Sequence, residues 1–167
     1  MKNLIVVISI LITLVAYCQE KTIAQIELEV NSIEANRALT KTEFDWVELT
    51  GMTTDGGGIL TIWRDKEQIY KIVEEIGLSY GRMKITIYLT RGIPIKIIET
   101  EENFELTDDG INYSELKEVF KKEVLFFDWE LGDAKVKETG KRVMSEGGCS
   151  HYEDYEPILE RANQAIK

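Results

Sequence analysis

Met83, Ile85, Ile87 and Leu89 alternate with Lys84, Thr86 and Tyr88. A period of two is the signature of a strand with one buried and one wetter face, and a helix cannot accommodate it. The same habit runs through the middle of the chain and predicts strands at 44–50, 59–64, 68–75, 82–90 and 93–100. Between them lie Asp55-Gly56-Gly57-Gly58, Asp65-Lys66, Gly77 to Gly81 and Arg91-Gly92, which are turn chemistry. Connections this short join antiparallel neighbours, because a parallel crossover needs a dozen residues or more. Pro94 is then expected at an edge or at the start of a strand.

An internal repeat supports a meander. Ile62-Trp63 and Tyr70-Lys71-Ile72-Val73-Glu74 return further on as Ile87-Tyr88 and Ile95-Lys96-Ile97-Ile98-Glu99, and a third copy reads Phe126-Phe127 then Lys135-Val136-Lys137-Glu138. Hairpins repeated in this way stack into one continuous sheet. Residues 101–115, with Thr107-Asp108-Asp109-Gly110, read as an acidic loop interrupting that sheet. Residues 116–123 fit either a short helix or a strand, Gly132-Asp133 marks another turn, and Gly147-Gly148 closes the region.

Helical periodicity flanks the strands. Ile23, Ile26, Val30 and Ile33 form a stripe within 20–39, and Tyr155, Leu159, Ala162 and Ile166 form another, with Pro157 in its first turn. The expected fold class is therefore α+β: an antiparallel β-meander packed by an N-terminal and a C-terminal helix. Both helices are expected on one face, with the other face wet.

The start of the chain reads as an export signal. Met1-Lys2-Asn3 precedes an apolar run from Leu4 to Tyr17, and polar Gln19-Glu20-Lys21 follow. Such a run is too short to span a bilayer, which takes about 20 residues, and suits a signal-peptide core of about 7–15. Cleavage after Cys18 would leave one α+β domain over 19–167. Val15-Ala16-Tyr17-Cys18 also resembles a lipobox, which would lipidate Cys18 and make an outer-membrane lipoprotein. The bulky Tyr17 beside the cysteine favours the soluble product. The expected location is periplasmic or secreted, with no membrane span in the mature chain.

Either route leaves Cys149 as the only cysteine for folding, so no disulfide framework is expected and the core must supply the stability. The formal charge is −10, without a basic patch of the kind that nucleic acid requires.

Residues 54–100 carry Thr-Asp-Gly-Gly-Gly-Ile-Leu-Thr-Ile-Trp, Tyr-Lys-Ile-Val-Glu and Ile-Tyr-Leu-Thr-Arg-Gly-Ile-Pro-Ile-Lys-Ile-Ile-Glu. This resembles a group of uncharacterised exported bacterial proteins with a Gly-Gly-x-Leu-x-x-Tyr strand, a Lys-Ile strand and a Tyr-Tyr-Phe-x-x-Gly-Lys-Leu hairpin. Asn112-Tyr113-Ser114 and the later Phe126-Phe127 hairpin extend the similarity over roughly 43–140. Arg91-Gly92-Ile93-Pro94 stands where the group has its Gly-Lys-Leu turn. The resemblance implies an exported sheet-and-helix fold and brings no activity or catalytic residues with it.

Few residues point to chemistry. His151 stands two positions from Cys149, but no hydrolase signature accompanies them, and two strong ligands do not make a zinc site. The acidic stretch fails the calcium-loop register, with Thr107 where a carboxylate is wanted and Leu116 at the closing glutamate. No catalytic residue, metal or cofactor is assigned. Trp63, Tyr88 and Phe127 hold equivalent places in the repeat and are expected to line up across the sheet as core or as a binding surface. Lys71, Lys96 and Lys135 accompany them as a charge ladder. The functional expectation is an exported, non-enzymatic binding or accessory domain for an unknown protein or small ligand. An envelope lipoprotein with a structural or assembly role, and a hydrolase with an unrecognised site, are the alternatives.

Overall fold

The computed structural model describes residues 22–144 and 155–167. Helix α1 (Ile23–Ala35) opens on a capping box in which Thr22 and Gln25 satisfy each other's backbone. Strand β1 (Thr40–Asp45) leads into a short helix α2 (Trp46–Thr50). Six strands follow: β2 (Gly58–Arg64), β3 (Ile69–Leu78), β4 (Gly81–Thr90), β5 (Ile93–Thr107), β6 (Gly110–Asp128) and β7 (Asp133–Gly140). Helix α3 (Glu156–Ala165) closes the chain, with Pro157 in its first turn. All seven strands lie in one sheet in the order β1-β2-β3-β4-β5-β6-β7, each antiparallel to the next. This is the expected α+β meander.

The repeat fixes the register. Ile62, Ile72, Ile87, Ile97 and Val124 stand opposite one another across five strands, and Trp63, Lys71, Tyr88, Lys96 and Leu125 form the next row. Successive residues face opposite sides of a sheet, so the two rows belong to different faces.

That alternation overturns the expectation of two helices on one side. The Ile87 row packs with Leu60, Ile85 and Leu89 against Tyr155, Ile158 and Ala162 of the α3 segment. The Tyr88 row packs with Ile95 against Ile26 and Val30 of α1. One helix covers each face. Strands β4 and β5 are apolar on both sides (Ile87 beside Tyr88, Ile97 beside Ile98), so each side needs cover.

Two further stretches differ from expectation. Residues 44–50 are not one strand: the Asp45 carboxylate accepts from the Glu48 amide at 3.0 Å and starts α2, which turns Trp46 into the core. Residues 101–115 are no loop but the long end of the β5–β6 hairpin, whose strands run 15 and 19 residues. Their charges are met across the sheet, by Arg82 on Glu102 and by Lys117 on Glu105. The ambiguous 116–123 segment is strand, the last strand among the described residues ends at Gly140, and Gly147-Gly148 lie outside the described residues. Pro94 is the second residue of β5, beside the register shift at Tyr88/Leu89, as expected of a proline at a strand start.

Candidate functional site

On the α1 face the strands write a row in which lysines alternate with the rings of Trp63 and Tyr88 and with Leu125: Lys41, Trp63, Lys71, Tyr88, Lys96, Leu125 and Lys135. The Lys71 ammonium lies 4.7 Å from the Trp63 ring centre and 5.5 Å from that of Tyr88, and Lys41 sits 5.6 Å from Trp63 on the other side. Ring faces are electron-rich, so each such contact contributes about 0.5–1 kcal/mol or more. Phe127 does not join the row. The β5–β6 register sets Leu125 opposite Lys96, so Leu125 takes the position while Phe127, two residues further on, packs among the α1 contacts.

Helix α1 answers half of this row with glutamates. Glu34 accepts from Lys71 and from the Tyr88 hydroxyl, each at 2.6 Å; Glu27 accepts from Lys96 at 2.7 Å; Glu29 accepts from Thr90 at 2.6 Å. Burial raises the Glu34 carboxyl, but the two hydrogen bonds and the Lys71 charge outweigh it and hold the group below its ordinary range. Tyr88 is pushed well above the usual phenol range, first by burial and then by the Glu34 hydrogen bond and the nearby carboxylates.

Beyond α1 no described residue covers the same face. A shallow depression of ≈ 490 Å³ has Thr61, Val73 and Thr86 as its floor and Trp63, Lys71 and Lys84 on its rim. Lys41 is paired with Glu43 at 2.5 Å, whereas Lys84 makes no salt bridge with any described residue. A second depression, of ≈ 400 Å³, lies at the far end of β2 and β3, between the glycines 56–58 and the rings of Phe104 and Tyr113. Gly56 and Gly77 touch backbone to backbone there: a Cβ on Gly77 would fall 2.6 Å from the Gly56 carbonyl oxygen. Arg82 stands beside it, held by Glu75 at 3.0 Å and by Glu102 at 2.8 Å.

The α3 face carries what sequence reasoning missed, a set of buried carboxylates. Glu74, 2% exposed, accepts two bonds from Arg161 of α3 (3.0 and 2.9 Å) and one from the Trp46 indole (2.9 Å). Burial raises its carboxyl above the ordinary value, against the pull of Arg161. Glu99 is engaged by Arg142 and the Tyr155 hydroxyl, and Glu101 accepts from the amides of Val143 and Met144 at 2.8 and 3.0 Å. A general acid needs a raised carboxyl that substrate can reach. Glu74 has the first property, but its oxygens are spent on Arg161 and Trp46 beneath two helices. These carboxylates fasten the C-terminal segment to the sheet.

Cys18, Cys149 and His151 lie outside the described residues. Among the described residues no group of three or more His, Cys, Asp or Glu is placed to hold a metal, and no helix is long and apolar enough to cross a membrane. The chain matches no known protein family, no curated protein and no solved structure.

Proposed function

We propose that the protein is an exported, non-enzymatic binding domain whose recognition surface is the uncovered part of the α1 face, and that its ligand is anionic. One observation carries this reading. On the row through Tyr88, α1 brings a glutamate to Lys71 and to Lys96; Lys84, on the same face four residues along β4 and opposite Glu75, lines the depression that Trp63 also lines and makes no salt bridge to any described residue. An ammonium that makes no salt bridge, in the same depression as a half-buried indole and the floor hydroxyls of Thr61 and Thr86, is complementary to a negatively charged group attached to a flat or apolar body. The tied-up state of Glu74 supports binding over catalysis.

Dextran sulfate, with neutral dextran as control, tests the reading through tryptophan fluorescence. The sulfated polymer is expected to perturb the emission in a salt-sensitive way, and Lys84→Glu to weaken that response about tenfold or more. A response equal for both polymers, or unchanged in Lys84→Glu, contradicts it. The exported location rests on the apolar run from Leu4 to Tyr17; the intact mass of the product distinguishes a chain starting at Gln19 from one with lipidated Cys18.

A further inference from the structure

The β5–β6 hairpin outruns the rest of the sheet. Strand β4 follows β5 only to Asn103, and β7 follows β6 only to Phe120, so residues 104–119 form a two-stranded arm with no strand on either side. Its strands reach about 17 Å from Asn103 to the turn at Asp108, at roughly 3.3 Å per residue. The arm has two unlike sides. Phe104 and Leu106 share one side of β5, and Leu116 and Ile111 stand opposite them on β6. Between those two, residues 113–115 of β6 have no partner on β5, and Tyr113 from this bulge sets its ring edge-on to Phe104 at 5.1 Å. The other side bears Asn112 and the Glu105–Lys117 ion pair. Leu106 is 79% exposed, Tyr113 65% and Ile111 39%. A two-stranded ribbon is marginally stable alone in water and normally lays its apolar side on something. No described residue covers Leu106 or Tyr113.

We propose that this arm is a docking surface for a basic, amphipathic segment of another protein. None of the arm's residues lines the depression of Lys84, so the inference stands apart from the anion-binding reading. Charge selects the partner. Asp108 and Asp109 form the turn at the arm's tip, and Glu118 lies nearer its root on the Phe104 side, opposite Glu102. None of these three carboxylates makes a salt bridge with any described residue; Glu102 has Arg82, and Glu105 has Lys117. Phe104, Tyr113 and Leu116 also wall the depression of ≈ 400 Å³ at the arm's root, whose charged lining is Asp55, Glu75 and Arg82. Arg82 is tied to Glu75, which leaves Asp55 to meet a cation. Exposed apolar side chains flanked by carboxylates without partners are complementary to leucines or rings flanked by lysine or arginine. A second copy of this chain fits less well, since it brings the same carboxylates and a formal charge of −10. A bilayer also fits less well: Asp108 and Asp109 would meet it first, and anionic headgroups repel them.

Calorimetry of the full chain with three peptides of equal length tests the proposal: an amphipathic helical Leu/Lys peptide, its Leu/Glu counterpart and oligolysine. The Leu/Lys peptide is expected to bind about tenfold tighter or more than either of the others. Leu106→Ser/Ile111→Ser, checked for an unchanged melting curve, is expected to lose that advantage. Tyr113→Ser, which lies outside the ladder, is expected to do the same and keeps the test valid should the double variant unfold. Asp108→Asn/Asp109→Asn is expected to weaken the Leu/Lys peptide severalfold and to flatten its salt dependence. Oligolysine binding as tightly as the Leu/Lys peptide overturns the apolar face, and the Leu/Glu peptide binding as tightly overturns the charge matching. Binding by none of the peptides, or binding that every arm variant leaves unchanged, overturns the arm as a docking surface. In sedimentation the chain alone is expected to be a monomer; a dimer abolished by Leu106→Ser/Ile111→Ser would assign the arm to a second copy instead.

Discussion

Arg161 and Glu74 are joined by two hydrogen bonds, and the carboxylate is buried. Removing one partner of a buried ion pair strands the other, which typically costs about 3–5 kcal/mol, whereas replacing both with apolar groups of similar size is close to neutral. Arg161→Ala is therefore expected to lower stability by about that amount in denaturant titrations, and a Glu74→Leu/Arg161→Leu double variant to recover most of it. A double variant no better than the single one would show that the pair, and not merely the avoidance of a stranded charge, stabilises the α3 contact. Trp46 shares the carboxylate, so the same measurement reports on the seat of α2.

At the scale of elements, α1 and α3 are attached by different chemistry, with different responses to pH. Glu34, on α1, has a lowered carboxyl. A carboxyl lower in the folded state stabilises fully above its unfolded value, and that stabilisation is lost as pH falls through the folded value. Amide-exchange protection of α1 is thus expected to fall on acidification below the ordinary glutamate value of 4.5, and Glu34→Gln to flatten that dependence. Protection in wild type and variant falling in parallel would contradict it. The strands and turns were legible because period-two alternation and dipeptides such as Arg91-Gly92 act locally; Arg91 and Gly92 both take the left-handed backbone that a tight hairpin turn requires. Even the row of Trp63, Lys71, Tyr88 and Lys96 follows from the repeat. What was not legible depends on distant partners. A helical stripe says that a helix needs cover and not which face supplies it. The acidity of 101–115 suggested a loop because Arg82 and Lys117, which neutralise it, come from other strands. Glu74 looks like any surface glutamate until Arg161, 87 positions away, is placed beside it. The β5–β6 register, which sets Leu125 opposite Lys96, leaves Phe127 out of the row that its place in the repeat predicted.

Across the described residues, strands pair only with their sequence neighbours, so β1 and β7 are the edge strands of the sheet. The edge β1 is six residues long, and β7 carries Lys135 and Lys137, both of which discourage pairing with another chain. The faces are unequal: the α3 face is roofed and fastened by buried carboxylates, and the α1 face is covered at one end and open at the other. The account stands on that open end being where the protein meets its ligand. Amide chemical-shift mapping with a short sulfated dextran tests this most directly. The predicted result is a cluster of shifts at Trp63, Lys71, Lys84 and Thr86, with α3 and β7 silent; shifts centred on α3, or none anywhere, would contradict it.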